Sequence, residues 1–481
     1  MAELAEYRNL IGGELRPAAS GRLLDAVNPA TGEVFARIPA GDRTDVDAAV
    51  AAARAAFPAW SALTADQRAG YLRKVAALFR EHGADLGRLE TLDNGRIVRE
   101  NLPRNGPGMT HMWTLAAGQT LEAVTGQTVV LGPNSLGLTR REPYGVIAAV
   151  IPWNAPISML SAKAAFALAA GNTVVVKSAE QASVSVLRLG ELLVGVLPPG
   201  VLNIVSGLGA EAGDALVRHR GVNKITMTGS TETGRLIQRA AADALTPSIF
   251  ELGGKSPNIV FADADLDAAA VGVTRTSVFT GNAGQVCVAG SRILVQRPVL
   301  DEMLGRIRAI AEKVVLGDPL ETTTTMGPLV SQAQYDRVVG FLETGAKEAE
   351  LVFGGRHGAE VVPSLPGGYW VEPTLFRTDD NSLSICQEEI FGPVAVIIPF
   401  DTDEEALAIA NDTRYGLAAG VWTRDLARAH RFFRDLESGN VWVNIYRQTG
   451  QELPFGGIKD SGYGHDRILE FTREKSAVIA T

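Results

Sequence analysis

From residue 144 onward the chain alternates between two rhythms. GVIAAVI, NTVVVK, VLNIVSG and NKITMTG are short apolar runs rich in β-branched residues. SAKAAFALAAG, VSVLRLGELLVGVL and AEAGDALVRHRG lie between them with helical spacing. Strands apolar at nearly every position are buried on both faces, and parallel neighbours need a crossover of helical length. The alternation therefore predicts a parallel sheet covered by helices. SPNIVFA, SRILVQ, PVAVIIPF and GNVWVN, with DEMLGRIRAIAEKVV among them, repeat the pattern and predict a second α/β unit from about residue 254. A chain of 481 residues also exceeds what one core usually serves.

The remaining segments fit neither unit. TDVDAAVAAARAAFPAWSAL (44–63) opens on Thr44 as an N-cap candidate, and Val46, Val50, Ala53 and Phe57 recur at helical spacing. YLRKVAALFREHGADLGRLE continues in the same manner, so the first hundred residues are expected to be mostly helical. TGQTVVLGPNSLGLTRREPYG (125–145) predicts a hairpin turning at Gly132-Pro133-Asn134. The tail EKSAVIAT predicts a short strand that must pair with this hairpin or with another subunit.

Charge and composition exclude several function classes. A net charge of −9 without a basic stripe argues against nucleic-acid binding. The most apolar segment, VIAAVIPWNAPISML, is interrupted by Pro152, Asn154 and Pro156, so no membrane span is expected. MAELAEYRNLIGG carries acids where a signal peptide has a basic start, and two cysteines do not make a disulfide framework. The expectation is a cytoplasmic protein. Six histidines are scattered without metal-ligand spacing, so no metal site is predicted.

Two glycine loops compete as phosphate sites. GLGAEAG (207–213), with Gly209 and Gly213, is one residue too long for a dinucleotide fingerprint. TGSTETG (228–234) follows NKITM and opens a helix, so its backbone N–H groups and the hydroxyls of Ser230, Thr231 or Thr233 can face a pyrophosphate. Both loops also fit plain βα turns, and residue patterns alone leave that open. VVVKSAE ends a strand on Lys177 with Glu180 one turn on, at the sheet edge where open α/β folds bind ligands. A glutamate there accepts from ribose hydroxyls and repels a 2′-phosphate; the alternative is a solvated ion pair.

Three further stretches each hold one reactive residue. Asn154 lies in the proline-bracketed IPWNAP, Glu251 among apolar neighbours in FELGGKSPN, and Cys287 between Gly284 and Gly290 in NAGQVCVAGSR. A carboxylate among apolar groups has a raised pKa and suits a base. The glycines would leave a substrate room to reach the sulfur. An isolated cysteine is more often a buried filler, and a Glu before Gly-Gly can simply end a strand.

VIPWNAP, VVVKSAE, MTGSTETG, ELGGKSPNIVFADADLD, GQVCVAGSR, MGPLVS, QEEIFGPV, NDTRYGLAAGVWTRD and PFGGIKDSGYG occur in this order. Together they resemble the aldehyde dehydrogenase superfamily over essentially the whole chain. The resemblance implies two open α/β domains and a small β oligomerisation arm. Residues 1–124 and 144–253 would form the nucleotide-binding domain, 254–452 the catalytic domain, and 125–143 with 453–481 the arm and tail.

By the same resemblance, Cys287 is the nucleophile, the Asn154 amide holds the oxyanion, and Glu251 activates water. Relatives that pass the acyl group to coenzyme A lack this glutamate, so the hydrolytic type ranks above the acylating type and above a catalytically silent homologue. The cofactor implied is NAD, with NADP as the alternative. Lys177 and Glu180 map to the adenosine ribose, Ser230 to the pyrophosphate, Glu389 to the nicotinamide ribose, and Phe391 near the ring. Ile151, Pro152, Trp153, Gly209, Gly213, Gly229, Thr233 and Leu252 complete the implied cofactor site. A homodimer or homotetramer is implied, with an aldehyde as the small-molecule partner.

The chain departs from the family pattern in places. Ser178 stands where many relatives carry proline, which is expected to loosen that turn. His465 stands where arginine is expected. Glu251 and Cys287 are 36 residues apart, slightly long, with the extra length assigned to TRTSVFTGN (274–282). Small residues at Ala155, Ser158 and Ala162, beside Met159, suggest a roomy pocket for bulky or aromatic aldehydes.

Overall fold

The computed structural model describes residues 4–448, 450 and 452–480. Its first large sheet has eight strands, with Ser248–Glu251, Lys224–Thr228, Val146–Val150, Thr173–Lys177 and Leu202–Val205 side by side and parallel. Asn9–Ile11 and Glu14–Arg16 extend one edge antiparallel, and Gly462–Tyr463 the other. Strand order reverses between Val146–Val150 and Lys224–Thr228, because the chain adds strands first to one side and then to the other. In open α/β sheets the carboxyl ends of strands at such a reversal are where a binding crevice forms.

The second sheet has seven strands in the order Glu350–Phe353, Thr374–Arg377, Val394–Phe400, Arg292–Gln296, Pro257–Val260, Ala418–Trp422, Asn440–Val443. Only the first runs antiparallel to its neighbour. Separate apolar cores serve the two sheets, one including Ile147, Val174 and Leu168, another including Ile293, Val260 and Ile397. The alternating rhythm of the sequence thus becomes two open α/β layers, as expected.

The predicted hairpin is present as Thr128–Gly132 and Ser135–Pro143. Thr472–Ala480 adds antiparallel to Ser135–Pro143 along its full length, so hairpin and tail satisfy each other's backbone within one chain. The tail's path differs from that of a simple arm. On its way it contributes Ile458–Lys459 to a pair with Tyr415–Gly416, and Gly462–Tyr463 to the edge of the first sheet.

The N-terminal expectation needs correcting. Residues 5–39 form strands, and helix begins only at Arg43. Glu33–Pro39 pairs with Leu23–Asn28 around an Asn28-to-Gly32 turn in which Gly32 adopts φ +73°. That turn chemistry outweighs the helical signal further on. The helix Arg43–Ser61 is capped by Asp42, which accepts from the Thr44 N–H while Asp45 bonds back to the cap; Thr44 is not the cap. No helix among the described residues is long and apolar enough to cross a membrane.

Candidate functional site

Glu251 is the last residue of an inner strand of the first sheet, beside Thr228 at the end of its neighbour. Leu252, Gly253 and Gly254 then carry the chain into the second sheet. The glycine pair is required by close approach. A side chain at Gly253 would lie 2.1 Å from a Glu389 oxygen, and one at Gly254 would lie 2.8 Å from the Cys287 carbonyl oxygen. The carboxyl edge of the first sheet is thereby pressed against the loop that holds the cysteine.

That loop follows a π-turn at Thr274–Val278. A π-turn inserts one residue into a helix. Gly284 adopts φ +69°, and a Cβ there would meet the Gly392 carbonyl at 2.2 Å; a Cβ at Gly290 would meet Asn258 at 2.0 Å. These glycines serve packing of the loop rather than access to the sulfur.

The Cys287 thiol donates to Glu251 Oε1 at 3.1 Å, and Thr228 Oγ1 donates to Glu251 Oε2 at 2.8 Å. Burial raises the Glu251 pKa, opposed by nearby Lys163. Burial, and then the Glu251 charge, push the Cys287 thiol well above its ordinary range. The thiol is thus the donor and a Glu251 carboxyl oxygen the acceptor of one short contact, with the acceptor already in line for the proton.

Asn154 Nδ2 donates to the Gln285 carbonyl at 3.0 Å, two residues before Cys287. Asn282 Nδ2 in turn donates to the Asn154 carbonyl at 3.2 Å. The amide is held at the cysteine loop with one N–H to spare. Asn154, Glu251 and Cys287, distant in sequence, meet in one place. Gln285, Asn282 and Thr228 were not singled out from the sequence. Their single signal is proximity to residues that were.

Ile151, Pro152, Trp153, Lys177, Gly229, Ser230 and Leu252 lie at or just beyond the carboxyl ends of first-sheet strands, around the crevice. Ser230 caps the helix Thr231–Ala244 by accepting from the Thr233 N–H at 3.2 Å. Lys177 Nζ bonds Glu180 Oε2 at 3.0 Å; the lysine is buried, so the pair is not a freely solvated one. Gly209 and Gly213 bound a π-turn, Gly209–Gly213, beyond the strand Leu202–Val205. Ser178 does not loosen its turn. Its hydroxyl meets Ser183 Oγ at 2.7 Å and its N–H donates to the Val205 carbonyl, a bond proline would lack.

Glu389 and Phe391 come from the second lobe. Glu389 Oε1 accepts from the Gly254 N–H at 3.1 Å, and burial raises its pKa to about 7. Phe391 sits at φ +59°, a strained conformation for an aromatic residue, with its ring edge-on to Trp153 at 5.3 Å. His465 packs its ring near Gly456, and the ion pair in this region is made by its neighbour Asp466 with buried Lys163 at 2.7 Å.

The family model for the aldehyde dehydrogenase family matches residues 16–478. The chain belongs to the aldehyde dehydrogenase family. It is 40% identical to an aldehyde dehydrogenase of Rhodospirillum rubrum, covering 99% of this chain and 95% of the other. It is 40% identical to the NADP/NAD-dependent aldehyde dehydrogenase PuuC of Escherichia coli, over 99% of this chain and 96% of that one. The solved NAD+ complex of an aldehyde dehydrogenase from Bacillus cereus superposes with a TM-score of 0.95 at 40% identity, covering 99% of this chain and 96% of that one. The two-sheet architecture is therefore that of this family.

Proposed function

We propose that this aldehyde dehydrogenase oxidises an aldehyde to the free carboxylic acid through a covalent bond to Cys287. The observation that carries the reading is the 3.1 Å contact from the Cys287 thiol to Glu251, with the Asn154 amide tied to the same loop. Glu251 takes the thiol proton, and the sulfur attacks the aldehyde carbon. The free N–H of Asn154 and the Cys287 backbone N–H oppose the oxyanion that forms. After oxidation the acyl group rests on Cys287 as a thioester. Glu251 gives up the proton it took to solvent and then removes a proton from water, whose oxygen attacks the acyl carbon; the displaced thiolate takes that proton, releasing acid and thiol. A base in this position favours water over coenzyme A as the acyl acceptor.

The residues around the crevice fit a nicotinamide dinucleotide. Lys255 Nζ is fully buried without a partner among the described residues, near the Glu389 carboxylate, and its pKa falls to about 7. The helix Thr231–Ala244 turns its positive end toward the crevice. Bound there, the dinucleotide supplies the hydride acceptor. Lys177 and Glu180 hold the adenosine ribose, Gly229, Ser230 and Thr233 the pyrophosphate, and Glu389 the nicotinamide ribose. Phe391 and Trp153 brace the ring side, with Ile151, Pro152 and Leu252 as walls and Gly209 and Gly213 toward the adenine. The Glu180 carboxylate favours NAD over NADP.

Residues 125–143 and the C-terminal strand form an oligomerisation arm. Val129, Val130, Leu131, Val478 and Ile479, on two of its three strands, are exposed, an apolar surface that a dimer or tetramer would cover. Two free cysteines suit the cytoplasm. The decisive test is incubation with aldehydes and NAD, following NADH and the acid product. Equimolar NADH and free acid support the reading, and a coenzyme A requirement contradicts it.

A further inference from the structure

Beyond the sulfur's immediate partners, three arginines come together near the cysteine loop. Arg96 follows the helix Ala65–Asn94, Arg104 opens the π-turn Arg104–Gly108, and Arg447 lies in the loop after Asn440–Val443. Arg96 is 1% exposed, and its Nε and Nη1 find no hydrogen-bond partner among the described residues. Arg447 Nη1 is buried in the same condition. Buried guanidinium groups without acceptors are costly, and proteins rarely leave them so.

The acids nearby do not balance this charge. Glu100 lies between Arg96 at 3.5 Å and Arg447 at 3.8 Å; its Oε1 accepts from the Gly281 N–H at 3.1 Å, and its Oε2, facing Arg96, is buried without a hydrogen bond of its own among the described residues. Glu90 is buried, accepts from the Ile157 N–H at 3.3 Å, and has its pKa raised by burial against the opposing charges of Arg96 and Arg104. Three guanidinium groups thus share two carboxyl groups, Glu90 and Glu100.

The cluster is also tied to the cysteine loop. Tyr446 donates to the carbonyl of Val288 at 2.8 Å, which fixes the residue before Arg447 to the residue after Cys287. Arg447 itself is held at φ +61°. Arg104 lies within electrostatic reach of the Cys287 sulfur. Ser158, on the helix that follows Asn154, keeps a buried hydroxyl without a partner among the described residues.

We propose that Arg96, Arg104 and Arg447 form a subsite for a carboxylate at the far end of the substrate, so that the aldehyde is the semialdehyde of a dicarboxylic acid. This rests on the aldehyde dehydrogenase reading above and names its substrate class. A planar carboxylate matches the fork of a guanidinium group and supplies the acceptors these donors lack. Ala155 and Ser158 then provide room for the carbon chain between the two ends. Charge, more than bulk or aromaticity, selects the substrate.

The test compares kcat/KM for succinic and glutaric semialdehydes with butanal and pentanal, in wild type, Arg104→Met, Arg447→Met and Arg104→Lys. Wild type is expected to prefer the acids by about 100-fold, mainly through KM. Each methionine variant should lose at least about 10-fold more on the acids than on the neutral aldehydes, with partial rescue in Arg104→Lys. Melting temperatures identify any variant that fails to fold, in which case the wild-type preference and the lysine variant decide. Equal kcat/KM for acid and neutral substrates, or equal losses on both, overturns the proposal. A preference for glyceraldehyde 3-phosphate over the semialdehydes overturns the carboxylate assignment. If no aldehyde yields NADH, the dehydrogenase reading itself fails and the proposal with it.

Discussion

The thiol of Cys287 and the carboxylate of Glu251 lie 3.1 Å apart as donor and acceptor. The same contact that offers a route for the proton also raises the thiol pKa, because a neighbouring negative charge disfavours the thiolate. Glu251→Gln removes that charge. Alkylation of Cys287 by iodoacetamide should therefore become faster at neutral pH in Glu251→Gln, while turnover falls by about 100-fold or more for want of a base. Slower alkylation in the variant would show that the carboxylate assists the thiolate more than it opposes it.

Asn154 is expected to act mainly through kcat. Its amide is held by Gln285 with one N–H free, so Asn154→Ala removes an oxyanion donor without emptying the cofactor crevice. The loss should be about 100- to 1,000-fold in kcat with KM for NAD little changed. A variant altered only in KM would contradict the assignment.

Glu389 gives the cofactor site a pH dependence. Burial raises its pKa to about 7, so the carboxylate is charged above that value and progressively neutral below it. A neutral acid accepts ribose hydroxyls less well. KM for NAD should therefore rise as pH falls through 7, and Glu389→Gln should flatten that rise. Persistence of the same pH profile in the variant would assign it to another group.

Glu180 is held by Lys177 at 3.0 Å at the crevice edge. Glu180→Ser should reduce the preference for NAD over NADP, measured as the ratio of kcat/KM values, by about 10-fold or more. An unchanged ratio would place cofactor discrimination elsewhere.

Lys163 is fully buried and depends on Asp466 at 2.7 Å and Thr226 at 3.0 Å. Asp466→Ala leaves an uncompensated buried charge, a loss of about 3–5 kcal/mol. A marked fall in melting temperature is the expected result, and an unchanged one would show that solvent reaches the lysine.

Much of this arrangement was legible in the sequence because it is written in local patterns. Apolar β-branched runs set the two sheets, and the hairpin turn and the tail strand carried their own signals. Asn154, Glu251 and Cys287 stood out because each lies among small or rigid residues. The N-terminal strands were missed because the Asn28-to-Gly32 turn was outweighed by the stronger helical pattern after Arg43. The packing roles of Gly284 and Gly290 depend on Gly392 and Asn258, which no local window contains. Arg96, Arg104 and Arg447 are likewise ordinary surface-type residues in sequence, and only the tertiary fold buries them together.

The central claim, a covalent bond from substrate to Cys287 released by Glu251, is tested most directly by mass spectrometry of Glu251→Gln. The protein is mixed with aldehyde and NAD, quenched in acid within seconds, and digested. The account predicts an acyl mass on the peptide containing Cys287, persisting longer than in wild type and absent from Cys287→Ala. An acyl group on another residue, or NADH formed at the wild-type rate by Cys287→Ala, would contradict it.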